Sequence, residues 1–215
     1  MTTKGSYDAT RRRERAEEER RATRLRVVEA ARRLFLARGY VATTVADIAK
    51  EAGVALQSVY NAGRSKADLL QHVPDLAVAR DDREVMLIDR PGFRAVGSAP
   101  SAEAQVRMIA GLIAATLERL APVWVAYREA AVVDAQAAAN LVAAHRRRHL
   151  TFGGLVRMIP EHRLRQPYEV STDTAWSIGS IDVFLLLRSI REWDASRYSE
   201  WLARTLVDAL LAPEG

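Results

Sequence analysis

Apolar residues recur along most of this 215-residue chain at every third or fourth position, which is the spacing of one face of an α-helix. The pattern is clearest before Gly39, where it is carried by Val27, Val28, Ala31, Leu34 and Phe35. No segment shows the sustained alternation of apolar and polar residues that is typical of a half-buried strand, and no internal repeat or heptad pattern is present. The sequence therefore predicts an all-α fold.

Helix start and stop signals divide the chain into a first unit of short helices and a larger helical domain. The start signals in the first unit are two pairs with capping-box spacing, and the stop signals are Gly or Pro. The expected helices of this unit run over about residues 23–38, from Thr44 to Gly53, over 54–60, and from Ser65 to Pro74, which should bend or end the last of them.

Residues 80–100 are expected to form a connector, because they contain clustered Asp, Pro and Gly. Longer apolar patterns follow this connector and predict the helices of the second domain. These helices are expected over about residues 102–120, 123–158, 172–192 and 198–211, with a break near Pro122 and a bend at Gly153 and Gly154.

Positive charge is concentrated at one end of the chain. The first 70 residues hold 15 Lys and Arg against 9 Asp and Glu, a net charge of +6, whereas the other 145 hold 17 against 18, a net charge of −1. Such an asymmetry indicates either one segment that faces a polyanion or a solvated basic tail. Residues 1–21, with the run Arg11-Arg12-Arg13, form a basic arm that is either disordered or a frayed extension of the next helix.

The composition excludes several classes of protein. There is no Cys, so disulfides, thiolate metal sites, iron–sulfur clusters and thiol nucleophiles are excluded, and a reducing cytoplasm is expected. Neither an apolar run of about 18 residues nor a secretory signal is present, so we expect no membrane partner. The hydrophobic content of 49% is too high for a disordered chain.

The spacing of three residues predicts a helix-turn-helix within residues 22–70. Ala49 is small enough for two helices to cross, Gly53 four residues later gives the turn its backbone freedom, and Val59 six residues further buries the second helix against the first. The spacing is unspecific alone, but the capping-box pairs on both sides strengthen it. Residues 71–215 would then form the larger domain.

At this point the sequence resembles the DNA-binding domain of TetR-type transcriptional regulators. The resemblance is carried by Phe35-Leu36-Ala37-Arg38-Gly39-Tyr40, Thr43-Thr44-Val45, Ile48-Ala49, Ala52-Gly53-Val54, Val59-Tyr60, Ser65-Lys66 and Leu69-Leu70. It implies a homodimer whose N-terminal domain binds double-stranded DNA and whose helical C-terminal domain binds a small-molecule effector and dimerises. Three residues depart from the family pattern: Ala55 lacks the usual capping hydroxyl, while Ala62 and Gly63 replace a bulky residue and Phe, which puts the packing beside the fourth helix in doubt.

The resemblance also implies the residues that contact DNA. Gln57 is expected to read adenine in the major groove through its side-chain amide, and Leu56 to contact a thymine methyl group. Thr43, Thr44, Tyr60 and Lys66 are expected to contact phosphates, and Arg64 to add phosphate affinity. For Gln57 and Asn61 plain solvent exposure is the alternative, and for Tyr60 a packing role. The full set of expected DNA contacts is Thr43, Thr44, Leu56, Gln57, Ser58, Tyr60, Asn61, Arg64 and Lys66.

The second domain offers candidates for an effector pocket and a dimer interface, each of which has the hydrophobic core as its alternative. The candidate effector residues are Trp124, Tyr127, Phe152, Met158, Trp176 and Asp182. The candidate dimer residues are Ile181, Phe184, Leu185, Arg188, Trp201, Leu202, Thr205, Leu206, Ala209 and Leu210. His145 and His149 flank Arg146-Arg147-Arg148, and we interpret this segment as a solvated basic face rather than a metal site.

These observations favour a homodimeric repressor that an effector releases from a palindromic operator, without a cofactor or a metal. The alternatives are a DNA-binding regulator that needs no ligand, an activator, and an all-α enzyme. An enzyme is disfavoured because the chain has no G-x-S-x-G, P-loop, H-E-x-x-H or G-x-G-x-x-G motif.

Overall fold

The computed structural model describes residues 4–79 and 94–213, and within these ranges the regular elements are helices. Two short 3₁₀ segments and one isolated β-bridge, between Leu164 and Leu211, accompany them. The all-α prediction is therefore confirmed. The helices are α1 (Lys4–Arg38), α2 (Val45–Ala52), α3 (Leu56–Ala62), α4 (Lys66–Ala79), α5 (Ala102–Val133), α6 (Ala135–Val156), α7 (Tyr168–Ile178), α8 (Ile181–Leu185, continued by the π-helical turn Leu186–Ile190) and α9 (Ala195–Leu210).

The first four helices begin and end largely where local signals predict. Gly39 (φ +77°) ends α1 and Gly53 (φ +64°) ends α2, both in the left-handed region that glycine adopts without strain. Thr44 and Asp47 form a complete capping box at the start of α2. The Ser65 hydroxyl accepts a hydrogen bond from the Asp68 N–H at the start of α4, which continues past Pro74.

The basic arm is helical from Lys4 onward. α1 is one continuous helix of 35 residues, and its segment from Arg11 to Arg26 is mostly exposed. Of the two expectations for the arm, the structure has the helical extension. The Arg side chains of this segment therefore lie on a mostly exposed part of a continuous helix.

The C-terminal domain is organised around α5, and here the predicted break near Pro122 is wrong. α5 runs through Pro122 and ends only at Val133. Asp134 is extended (φ −137°, ψ 111°) and its carboxylate accepts hydrogen bonds from the N–H groups of Gln136 and Ala137, so an N-cap and not the proline separates α5 from α6. Proline removes one backbone donor from a helix, and the surrounding packing of α5 is sufficient to keep the helix intact.

The predicted helix over residues 172–192 is also interrupted. α7 begins at Tyr168 after Pro167, and the helix ends at Gly179. Ser180 then caps α8, because its hydroxyl accepts a hydrogen bond from the Val183 N–H. Gly179 and the capping hydroxyl of Ser180 therefore interrupt a segment whose apolar pattern alone predicts one continuous helix.

Two apolar cores meet along α5. The first core lies within the C-terminal domain and contains residues of all five helices from α5 through α9. The second core joins α1–α4 to the C-terminal half of α5 and the start of α6, through Val123, Ala126, Tyr127, Ala130 and Ala137. α5 is long and apolar enough to cross a membrane by length and composition alone, but half of its most apolar window is buried in the protein, as in a core helix. Residues of α5 therefore contribute to the cores of both units.

Candidate functional site

α3 presents one buried and one exposed face. Val59 is buried against α2, where Ile48 and Ala49 are also buried, and this anchors the helix. The opposite face exposes Leu56, Gln57, Tyr60 and Asn61, while Ser58 is half-buried. The Gln57 amide donates to the Asn61 side-chain oxygen at 3.2 Å. The structure thus places four of the five predicted α3 residues on one open surface.

Gly63 explains how the chain tolerates the missing bulky side chains after α3. A Cβ atom at Gly63 would lie 2.7 Å from the Leu69 Cδ2 atom, which is closer than non-bonded carbons approach. Leu69 itself is fully buried, so its side chain fills the space against Gly63. The expected gap beside α4 is therefore closed by Leu69. Ala55 begins α3 without a side-chain cap, as the sequence predicts.

Two of the predicted phosphate contacts have their polar atoms committed to the fold. Thr43 is fully buried and its hydroxyl donates to the Gly39 carbonyl at 2.8 Å, so this side chain is not available to a phosphate. The Lys66 ammonium donates to the carbonyls of Tyr40 (2.8 Å) and Thr43 (3.0 Å) and lies 4.1 Å from the centre of the Tyr40 ring. Burial lowers the pKa of Lys66. Both residues hold the turn between α1 and α2.

Other predicted phosphate contacts remain open to solvent. Thr44 is exposed, although its hydroxyl takes part in the capping box. Hydrogen bonds from Thr44 lower the pKa of Asp47, which keeps this box ionised near neutral pH. Arg64 is exposed between α3 and α4. Lys50 before α3 and Arg64 after it are therefore the exposed cations nearest to α3 in sequence.

A hydrogen bond between Tyr40 and Asp134 joins the two units. The buried Tyr40 hydroxyl donates to the Asp134 carboxylate at 2.6 Å, and this bond is the first cause of the lowered pKa of Asp134. Asn140 adds a second link, since its amide donates to the Ala67 carbonyl at 3.3 Å. Sequence reasoning missed this junction, although Asp134 carries the signal of a helix N-cap.

The candidate effector residues do not form one cluster. Trp124 and Phe152 are buried and Trp176 is half-buried, and all three pack in the C-terminal core. Tyr127 belongs instead to the core shared with α1–α4, and Asp182 is exposed and paired with Arg128. Met158 is half-buried against the C-terminal core, at the end of α6.

The basic segment of α6 differs from its prediction. Arg146 and Arg147 are exposed, but His145 and Arg148 turn inward. The His145 ring lies 4.9 Å from Trp124 and 6.2 Å from Trp176, and the Arg148 guanidinium donates to the Gly179 carbonyl at 2.7 Å. The interpretation as a solvated face is thus wrong for these two residues, because residues three apart share a helix face and this face meets the core.

No metal cluster arises from this segment. His149 pairs with Asp173 at 2.7 Å, and within the described part of the chain no group of three or more His, Cys, Asp or Glu is placed to hold a metal ion. A shallow cleft of about 330 Å³ lies elsewhere, on the outer side of α5 and α9, lined by Arg107, Ser199, Glu200, Ala203 and Arg204.

The predicted dimer residues divide into two groups. One group is buried within the C-terminal core of the single chain and consists of Ile181, Phe184, Leu202, Leu206 and Leu210. The other group is partly exposed and consists of Leu185, Arg188, Trp201, Thr205 and Ala209. The π-helical turn after α8 adds two exposed apolar side chains that the prediction missed, Leu186 (58% exposed) and Ile190 (73% exposed).

A short two-helix unit with an open second helix, carried on a larger helical domain, defines a helix-turn-helix protein. Residues 27–73 match the family model of bacterial regulatory proteins, tetR family. Over 61 residues the chain is 44% identical to the HTH-type transcriptional regulator TtgR of Pseudomonas putida. These 61 residues are 28% of this chain and 29% of TtgR. This unit therefore matches the tetR family, as the sequence predicted, and the match spans less than a third of the curated relatives.

Solved structures extend the likeness to the whole fold. A TetR-family transcriptional regulator from Mesorhizobium loti superposes with a TM-score of 0.68 at 14% identity, over 87% of this chain and 94% of that one. The regulator FadR of Bacillus subtilis, in complex with stearoyl-CoA, superposes with a TM-score of 0.64 at 16% identity, over 85% and 97%. The fold thus includes the larger helical domain. The matched relatives are regulators, which agrees with the prediction that the chain is not an enzyme.

Proposed function

We propose that this chain is a cytoplasmic, homodimeric transcriptional repressor that a small-molecule effector releases from a palindromic DNA operator. The observation that carries the proposal is the open face of α3, held by a buried scaffold whose core continues into α5 and α6. An exposed helix on such a scaffold has the shape that enters the major groove. The bond between Asp134 and Tyr40 links the second domain to the turn between α1 and α2, and α2 packs against α3.

The DNA-contacting set follows from exposure. Gln57 would read a base edge through its amide, and Leu56 would contact a thymine methyl group. Tyr60, Asn61 and Arg64 are exposed beside them and would contact bases or phosphates. The exposed Arg side chains of α1 would track the backbone. Thr43 and Lys66 are assigned to the scaffold instead, because their polar atoms bond to backbone carbonyls.

The dimer proposal rests on apolar surface beside α8 and α9. Leu186 and Ile190 are exposed four residues apart in the turn that continues α8, and Leu185 of α8 and Trp201 of α9 are partly exposed. Exposed apolar residues that lie together mark an interaction surface. A two-fold axis through this surface would present two α3 helices to half-sites about 34–36 Å apart, one turn of DNA.

Effector control is proposed because the two cores meet along one helix. A ligand held in the C-terminal core would contact α5, and α5 also packs against α1–α4. A regulator without a ligand would use the same exposed face of α3, but no ligand would act on it through α5. Activation instead of repression would use the same DNA-binding surface.

The test is selection of DNA from a random library, followed by fluorescence anisotropy on the selected and on scrambled duplexes. We expect a palindromic site that binds at least about 1,000-fold more tightly than scrambled DNA. Sedimentation of the complex should give two chains for each site. Equal affinity for selected and scrambled duplexes would exclude a sequence-specific regulator.

A further inference from the structure

Five side chains from four helices form a polar cluster inside the C-terminal domain. They are Trp124 of α5, His145 and Arg148 of α6, Trp176 of α7 and Tyr198 of α9. The His145 ring stands edge-on to both tryptophans, and the Arg148 guanidinium interacts electrostatically with both His145 and Tyr198. We call these five residues the interior polar cluster.

Four buried polar atoms of this cluster have no hydrogen-bond partner among the described residues. They are Trp124 Nε1, His145 Nδ1, Trp176 Nε1 and the Tyr198 hydroxyl. Trp124 is 1% exposed and Tyr198 is fully buried, so bulk water does not satisfy them. Buried polar groups in folded proteins are nearly always paired, and four unpaired groups in one cluster need an explanation beyond packing.

The chemistry of these atoms favours an acceptor. An indole N–H only donates, and a guanidinium carries five N–H donors and no acceptor. Arg148 uses one of its nitrogens for the Gly179 carbonyl, and the structure describes no carboxylate in ion-pair contact with it. Burial lowers the pKa of Arg148 to about 10, so the guanidinium stays charged near neutral pH. The cluster is rich in donors and carries a positive charge without a direct counter-ion.

The surroundings of the cluster are aromatic. The Arg148 guanidinium lies 5.1 Å from the Phe152 ring, and the Tyr198 ring lies 4.9 Å from Phe184. Trp176 is partly exposed and His149 lies 5.6 Å from it at the surface. Trp176 is thus a member of the cluster that reaches solvent, at the edge formed by α6 and α7. Flat apolar walls with a few convergent polar groups are typical of sites for small organic ligands.

We propose that the interior polar cluster binds a planar aromatic anion, such as an aromatic carboxylate, with its charged group on Arg148 and Tyr198 and its ring against Trp124 and Trp176, in the place that the His145 ring takes in this structure. The proposal rests on the effector-controlled function proposed above and names the chemical class of the effector. Arg148 supplies charge-assisted hydrogen bonds to the carboxylate, and the two indole N–H groups donate to further acceptor atoms of the ligand. Binding requires the side chains of the cluster to separate.

An organic cation fits this site poorly. Aromatic residues attract quaternary ammonium ions, but the charge of Arg148 opposes them. Asp182 is the carboxylate whose charge reaches both His145 and Arg148, and it is exposed and paired with Arg128. The unpaired donors would gain no acceptor from a cation.

The experiment is calorimetric titration of the full chain with 2-naphthoate, its neutral amide 2-naphthamide, and choline. We expect the carboxylate to bind at least about 10-fold more tightly than the amide, because it replaces neutral by charged hydrogen bonds. The substitution Arg148→Gln should abolish this preference. Arg147→Gln removes the same charge from an exposed position on the same helix and should leave the preference unchanged.

Circular dichroism will show whether Arg148→Gln is folded, and Arg148→Lys serves if it is not. The lysine variant keeps the charge, so it should keep the preference for the carboxylate at lower affinity. Equal binding of acid and amide, tighter binding of choline, or no binding of 2-naphthoate at about 1 mM would each overturn the proposal. DNA binding is measured on the same sample. Selective DNA binding without an anion site would refute this inference alone, and absent DNA selectivity would refute the proposed function alone.

Discussion

Lys66 acts on the turn between α1 and α2 through the backbone. Its ammonium donates to two carbonyls of that turn, those of Tyr40 and Thr43. A lysine in this position holds Tyr40, and through the Tyr40 hydroxyl it also supports the contact with Asp134. One side chain therefore fixes the first unit and its junction with the second.

The substitution Lys66→Met should reduce the stability of the fold and leave the charge contacts with DNA unchanged. The carbonyls of two buried residues lose a charged donor, so we expect a loss of about 1–3 kcal/mol in the free energy of unfolding. The salt dependence of DNA binding should stay at the wild-type slope. Urea unfolding and anisotropy titrations at several salt concentrations measure the two effects.

Arg64→Gln is the matched control for Lys66. Arg64 is exposed, so its loss should leave the unfolding free energy unchanged and lower the salt slope by about one. A lowered salt slope for Lys66→Met, with unchanged stability, would return Lys66 to the phosphate contacts.

Gln57→Ala should weaken binding to the selected operator by about 1–3 kcal/mol, because one bidentate base contact is lost. Binding to scrambled DNA should change little, since Gln57 carries no charge. Anisotropy with both duplexes measures the difference. Similar losses on both duplexes would show that Gln57 contributes general contact rather than base reading.

At the scale of helices, the junction of α5 and α6 depends on one carboxylate with three donors. Asp134 accepts from the Tyr40 hydroxyl and from the N–H groups of Gln136 and Ala137. It therefore caps α6 and ties it to the first unit at the same time. Movement of α6 relative to α1–α4 requires this bond to break or the turn at Tyr40 to follow.

Tyr40→Phe should lower the free energy of unfolding by about 1 kcal/mol near neutral pH, because one charge-assisted hydrogen bond is lost and no buried donor is left unpaired. The pKa of Asp134 is lowered in the folded chain. The bond therefore contributes fully above the ordinary Asp value of about 4 and is lost as the pH falls through the lower folded value.

Urea unfolding of wild type and Tyr40→Phe, measured from about pH 7 to pH 3, tests this dependence. The difference between the two proteins should be constant near neutral pH and shrink in acid. Ser65→Ala removes another helix cap without contacting Asp134 and should show no such convergence. A difference that is independent of pH would exclude an ionised Asp134 as the partner of Tyr40.

Local signals predicted elements well wherever a few residues decide the outcome. The capping box of Thr44 and Asp47 and the left-handed Gly39 and Gly53 were predictable because each bond lies within one helix turn. The break at Asp134 was missed because proline is a stronger signal in sequence, whereas the packing of α5 overrides Pro122. The inward orientation of Arg148 was missed because three adjacent arginines favour a solvated face.

In the whole molecule, the surface that we propose to contact DNA is separate from the region that we propose to bind a ligand. The net charge of +6 lies on α1–α4 and their surroundings, and the remaining chain is close to neutral. α5 joins these regions, because one of its halves lies in each core. The sequence predicted the two regions from charge and helix length, but not their joint core, since that core forms between residues distant along the chain.

Leu186→Glu combined with Ile190→Glu should convert the proposed dimer to a monomer. Two charges on a buried apolar interface cost several kcal/mol, while both side chains are mostly exposed in the single chain, so folding should be unaffected. A monomer contacts one half-site, and operator affinity should fall at least about 100-fold because the second contact is no longer intramolecular.

Leu150→Glu is the control, because Leu150 is 69% exposed but lies on α6, away from α8 and α9. Analytical ultracentrifugation gives the mass, circular dichroism the fold, and anisotropy the operator affinity. The control should stay dimeric with wild-type affinity. A double variant that sediments as a dimer would place the interface elsewhere, whereas a monomer with full operator affinity would show that a single α3 helix suffices for binding.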